Sequence, residues 1–208
     1  GRWRPQIALA AATVVALGAV PAHAASKTVN SLSVDGWFGG NEGPSGSIGA
    51  VSARLMAMAF EEVVIAGRNA TELEQLKASI LEDTPDANVV CSTDYDSLLG
   101  EMDMIVTSTS GAGKKILDIM KVKPGCVITD VARPLDLPAS EVAKRPDVLV
   151  IESGEIQLPG DVQMKNIGLP RGLAYACLAE TIVLALEGRF ENFTVGRAIE
   201  WEKVREIY

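Results

Sequence analysis

The chain has 208 residues, 48% of them apolar, enough for one good core but not for a second full substrate domain beside it. Its formal charge is -8 and its pI near 4.8, with Lys and Arg scattered, so the broad basic face that phosphate-backbone binding requires is absent and nucleic acid is set aside as a partner. The 3 cysteines are far apart with no CxxC pair, which suggests neither a metal site nor a disulfide framework, and the single histidine, His23, leaves no Ser-His or Cys-His catalytic pair in the body of the chain.

Residues 1–26 pass from Arg2 and Arg4 through the apolar stretch 7–20 to Pro21-Ala22-His23-Ala24-Ala25, the charged, apolar and small-residue order of a secretory signal. The stretch is short for a membrane span, which needs about 20 apolar residues. Export would also separate a nucleotide-dependent enzyme from its reductant, so the competing reading is a foreign leader on a cytoplasmic protein. Within the same stretch, 12–18 has the continuous apolar character of a buried parallel strand. Residues 27–42 are polar and Gly-rich, with only Val29, Leu32 and Val34 offering a weak strand; they read as a linker or a degraded first strand.

From residue 43 onward the pattern is regular. Residues 48–60 carry apolar positions at helical spacing and 62–67 form a buried-strand run. Residues 70–81 form an amphipathic helix with Thr71 and Glu74 resembling a capping box, and 88–91 form the next strand. A strand over 102–108, a helix over 113–120, a strand over 126–130 and another over 147–152 follow. This alternation predicts parallel βαβ units, hence an α/β, Rossmann-like doubly wound sheet over 43–172, with ligands outside the carboxyl ends of the strands. Beyond a Gly- and Pro-punctuated stretch, 173–208 reads as a C-terminal helical segment, beginning with a long apolar helix over 173–187.

Glycines at 43, 46 and 49 form GxxGxxG at the start of the first helix. A sharp backbone turn without Cβ atoms lets a pyrophosphate approach amide N–H groups at the positive end of that helix, which makes Gly43, Ser45, Gly46, Ser47, Ile48 and Gly49 candidate cofactor contacts. A flexible Gly-rich loop is the alternative. Position adds weight: Arg68-Asn69 follows the next strand, where an NAD-binding protein carries an acid for the ribose and an NADP-binding one a cation for the 2'-phosphate. Arg68 therefore reads as a phosphate clamp and the cofactor as NADP(H), against a solvated arginine in a loop. Thr107 and Ser108 end a strand on the nicotinamide side, where their hydroxyls line the crevice or cap the next helix. Asp130 ends the following strand and orients a substrate or, more simply, caps a turn. Cys177 follows Arg171 at the start of a helix; it is either a thiol activated by the helix dipole or a small buried hydrophobe. Cys91 and Cys126 read as strand-core residues.

The segments GSIGAVSARL (46–55), AGRN (66–69), PGDV (159–162) and above all AYACLAETIVLALEGRFENFTVGR (174–197) resemble the long-chain acyl-[acyl-carrier-protein] reductases. They also resemble bacterial relatives described as shikimate- or quinate-dehydrogenase-like and glutamyl-tRNA-reductase-like. The resemblance covers about residues 44–208. It implies reduction of a fatty acyl thioester, carried on acyl carrier protein or CoA, to a fatty aldehyde with NADPH. It further implies that Cys177, in the ACxAE segment, forms the acyl-enzyme, a scheme that requires no histidine. Two departures stand out: the family's N-terminal acyl- and carrier-binding region has no counterpart here, and GWFGGNEGPSGSIG replaces an apolar run into GATGxIG. An NADP-dependent alcohol dehydrogenase of the shikimate or quinate kind and a non-catalytic nucleotide-binding remnant are the alternatives.

Overall fold

A computed structural model describes residues 30–34, 48–109, 116–132, 135–191 and 199–207, the side chains of 30–34 and 207 excepted. Its elements in chain order are β1 (Asn30–Val34), α1 (Ile48–Ala57), β2 (Glu62–Ala66), α2 (Ala70–Asp83), β3 (Val89–Ser92), β4 (Met104–Thr107), a 3-10 turn (Ile119–Lys121) and β5 (Val127–Asp130). There follow α3 (Ala139–Val142), β6 (Leu149–Glu152), β7 (Glu155–Gln157), β8 (Leu173–Tyr175), α4 (Ala176–Leu186) and α5 (Trp201–Ile207). Strands β1 to β6 form one parallel 6-stranded sheet in the order β3-β2-β1-β4-β5-β6. This is the strand order of the dinucleotide-binding Rossmann fold.

The apolar strand runs have a direct physical cause. Because the sheet is covered on both faces, successive side chains of one strand enter different cores. Val63, Ile65, Met104 and Val106 pack with Ala50, Ala53 and Met56 of α1 and Leu73, Leu76 and Ile80 of α2. Their neighbours Val64, Ala66, Ile105 and Ile128 enter the other core, with Leu99, Leu117, Ile119 and Leu137. The predicted strands over 62–67, 88–91, 102–108, 126–130 and 147–152 are all present, their ends moved by one or two residues.

Of the two candidate first strands, the weak one is in the sheet. Asn30–Val34 pairs with β2 on one side and β4 on the other, so the sheet begins before residue 43 and takes in part of 27–42. The rival strand at 12–18, like the whole signal-like leader, lies outside the described residues. Among the described residues no helix is long and apolar enough to cross a membrane.

Helix α1 is buried nearly all round, because α5 covers the side that faces away from the sheet. Val51 and Leu55 pack against Trp201 and Val204. Arg54 sits in the same layer, buried, with its guanidinium 5.6 Å from the Trp201 ring centroid. It donates to Asp83 Oδ2 at 2.7 Å, to the Ser79 carbonyl at 3.1 Å and to Ser79 Oγ, joining α1 to α2. Arg54→Ala removes a buried guanidinium with its packing on Trp201 and its bonds to Ser79 and Asp83, so unfolding in urea should show a loss of about 1–3 kcal/mol at an unchanged m-value. A loss within about 0.5 kcal/mol would contradict this role.

Three local expectations are corrected. The cap of α2 is Asn69, not Thr71: Asn69 Oδ1 accepts from Thr71 N at 3.0 Å and Glu72 N at 3.4 Å, and its Nδ2 donates to Glu72 Oε1 at 2.7 Å. The described part of 113–120 is not a helix. Residues 116–118 are irregular, and Asp118 caps the 3-10 turn instead, its side chain accepting from Met120 N. That turn is closed by buried Arg145, which donates to the carbonyls of Ile119, Met120 and Val122 while holding Asp147 with a two-toothed pair at 2.7 and 2.8 Å. Finally, Leu173–Tyr175 is a strand, paired antiparallel with β7, and the apolar helix starts only at Ala176.

Candidate functional site

The parallel register sets a row of strand exits along one rim of the sheet. Val34 at the end of β1 is level with Ala66 of β2 and with Thr107 of β4, and Thr107 is level with Asp130 of β5, which is level with Glu152 of β6. The strand order reverses between β1 and β4, and a crevice opens there in folds of this kind. Residues 35–47, which in sequence join β1 to α1, lie outside the described residues, and with them Gly43, Ser45, Gly46 and Ser47. Ile48 and Gly49 open α1, a 10-residue helix, and Gly49 is buried against the sheet layer.

At the β2 exit, Gly67 continues the sheet by donating to the Ser92 carbonyl at 3.2 Å. A Cβ there would meet Leu73 Cδ2 at 3.3 Å, so glycine lets α2 approach the strand closely. Arg68 follows, exposed on the rim, and Asn69 is occupied in capping α2. At the β4 exit Thr107 is wholly buried at 0% exposure, so it contributes its strand position and not its side chain; Ser108 is half-buried.

The neighbouring loop carries a residue that sequence reasoning missed. Asp136 is wholly buried at 0% exposure, accepts from Thr109 N at 3.0 Å through Oδ2, and accepts from the Thr109 hydroxyl through Oδ1. The only sequence signal is an acid set inside Pro134-Leu135-Asp136-Leu137-Pro138, where an apolar loop has no local use for a charge. Asp130 does what the simpler reading expected. Its Oδ1 accepts from Ala132 N at 3.1 Å and its Oδ2 from Leu137 N at 2.9 Å, closing the loop after β5. Burial raises its pKa and the Asp136 charge adds to that, against the two backbone donors that favour the ionised form.

Cys177 is exposed in the first turn of α4. The helix start is anchored to the β6 side of the rim, because Ala176 N donates to the Gly154 carbonyl at 2.8 Å, and Gly154 lies just beyond the end of β6. Gly154 turns the chain from β6 into β7 at a φ of 88°, a conformation that suits glycine. Arg171 is paired with Asp161 at 3.1 Å. Arg68 and Cys177 therefore stand toward opposite ends of the row of exits, with the β1/β4 crevice between them. The other two thiols differ in kind. Burial raises the Cys126 pKa to about 12, and burial with the nearby Glu74 raises that of Cys91 to about 11. At pH 8 a thiol with a pKa of 11 is roughly one-thousandth thiolate. Brief iodoacetamide labelling followed by peptide mapping should therefore mark Cys177 first. Equally fast labelling of Cys126 would contradict the described burial. Among the described residues no group of His, Cys, Asp and Glu is arranged to hold a metal ion.

No family model matches the sequence. The chain is 32% identical over 162 residues to the aminotransferase PigE of a Serratia species, covering 76% of this chain and 18% of that protein. It is 24% identical over 173 residues to the long-chain acyl-[acyl-carrier-protein] reductase of Synechococcus elongatus, covering 79% of this chain and 48% of that one. The chain thus spans about half or less of the length of these curated relatives. Among solved structures, quinate dehydrogenase from Corynebacterium glutamicum in complex with NAD superposes with a TM-score of 0.51 at 12% identity, over 69% of this chain and 50% of that one. The fold is a Rossmann-type α/β fold of the kind found in nicotinamide-dependent dehydrogenases, as its parallel sheet and strand order independently require.

Proposed function

We propose that this chain is the nucleotide-binding and acyl-accepting part of an NADPH-dependent reductase that converts a fatty acyl thioester to a fatty aldehyde. The observation that carries the reading is Cys177: an exposed thiol in the first turn of α4, anchored beyond β6 on the same rim as the β4 exit. The similarity to an acyl-[acyl-carrier-protein] reductase supports the substrate class, and the Rossmann strand order supports the nucleotide. The aligned part of the aminotransferase is only 18% of that protein, so transamination is not carried over to this chain.

Residues on the rim fit an NADPH. The N-terminus of α1 is the positive end of the helix that would face a pyrophosphate, and exposed Arg68 would offer a guanidinium to a 2'-phosphate at the β2 exit. NADPH, when bound, supplies the hydride. Cys177 performs the acyl transfer: its sulfur attacks the thioester carbonyl, a new carbon–sulfur bond forms, and the carrier leaves as a thiolate that takes up a proton. After reduction of the acyl carbonyl, the bond to Cys177 breaks, aldehyde is released and the thiolate returns. The carrier in this reading is acyl carrier protein or CoA.

Fluorescence titration with NADPH and NADH tests the nucleotide reading. Binding of NADPH in preference to NADH is the expected result, and binding of neither would overturn it. A second reading follows from the quinate dehydrogenase fold: oxidation of an alcohol, with Cys177 uninvolved in turnover. A Cys177→Ala protein that kept full turnover on a hydroxy acid would decide for it.

A further inference from the structure

We infer that Asp136 is a positioning residue for the crevice, fixing the chain that leaves β4 against the nicotinamide end of a bound dinucleotide. The inference rests on the dinucleotide reading of the β1/β4 crevice given above. Thr107 is the last residue of β4 and is level with Val34, the last of β1, so Ser108 and Thr109 are the first residues to leave the sheet where the strand order reverses. Residues leaving a ladder lose the regular partners of their backbone groups and must find others. Thr109 finds them in Asp136, which accepts from both its amide, at 3.0 Å, and its hydroxyl.

Asp136 is not explained by the folding of its own loop. That loop is already closed by Asp130, through Ala132 N and Leu137 N. A carboxylate is costly to bury unless hydrogen bonds replace its water. Asp136, wholly buried, takes two of them from the exit of another strand, 27 residues away in sequence. An ionised carboxylate can only accept, so the Thr109 hydroxyl hydrogen is turned toward it and one rotamer of the β4 exit is selected. An amide in its place would keep one acceptor but add donors, and could not receive both Thr109 groups in the same way.

Asp136→Asn, with Thr109→Val as a second variant that removes only the hydroxyl, tests this in the full chain. The readout is fluorescence titration with NADPH beside adenosine 2',5'-bisphosphate, which carries the adenine and 2'-phosphate end alone. Asp136→Asn should weaken NADPH about tenfold and Thr109→Val about threefold, while the bisphosphate changes by less than twofold in both. Equal weakening of the two ligands would assign Asp136 to general packing and overturn the inference, as would unchanged NADPH binding in Thr109→Val. Wild-type protein that binds neither ligand would instead overturn the dinucleotide reading on which it rests.

Discussion

Cys177→Ala should abolish aldehyde formation from acyl thioesters, a loss on the order of a thousandfold or more in turnover, while leaving the fold and NADPH binding as they were. Removal of a nucleophile has effects of at least this size because the reaction loses its covalent intermediate, not one contact among several. The stability side of the prediction follows from exposure. Cys177 is solvent-facing, alanine is the best helix former, and substitutions of this kind change stability by about 0.5 kcal/mol or less. Paired measurements of turnover and urea unfolding check it. Turnover that survives in the variant would remove Cys177 from the chemistry, and a large loss of stability would mean that the residue is structural.

Arg68→Glu should weaken NADPH binding by about a hundredfold and NADH binding by no more than about threefold. A charge-assisted hydrogen bond to a phosphate contributes about 1.5–3 kcal/mol, and the reversed charge adds repulsion that only the 2'-phosphate feels at close range. Arg68 is exposed just beyond the end of β2, where the 2'-phosphate of a bound NADPH would lie in this fold. Isothermal titration with both nucleotides decides the matter. Equal losses for NADPH and NADH would contradict a 2'-phosphate role.

The parts of the fold that were legible in the sequence are those where burial writes itself into residue type. The continuous apolar runs at 62–67, 102–108 and 126–130 reflect strands covered on both faces, as the alternation of Val63 and Ile65 with Val64 and Ala66 between two cores makes plain. The central strand was the least legible. Asn30–Val34 has polar residues at Asn30, Ser31 and Ser33, yet it pairs on both sides, because sheet ladders are made by backbone groups that the side-chain pattern does not report. Within the predicted helix over 113–120, the described residues 116–120 depart from it for a nearer reason. The Asp118 carboxylate caps the 3-10 turn that follows, which starts a new short element inside the apolar pattern.

The candidate site was legible in a similar, uneven way. Arg68 and Cys177 stand out by spacing and by segment, and both prove exposed on the rim side of the sheet. Thr107 was placed correctly in the strand but its side chain is interior, which alternation alone does not reveal at a strand end. Asp136 escaped notice because its meaning lies in a contact with Thr109 that no local pattern encodes. The glycines at 43 and 46, the opening feature of the sequence motif, fall outside the described residues, so the case for the nucleotide rests on the strand order around them.

The most direct test of the central claim is mass spectrometry of the intact protein after incubation with acyl carrier protein bearing a fatty acyl group, followed by addition of NADPH. The account predicts one acyl adduct, mapped to Cys177, that disappears on adding NADPH as an equal amount of fatty aldehyde forms. An adduct on Cys91 or Cys126, or no adduct and no aldehyde at all, would contradict it.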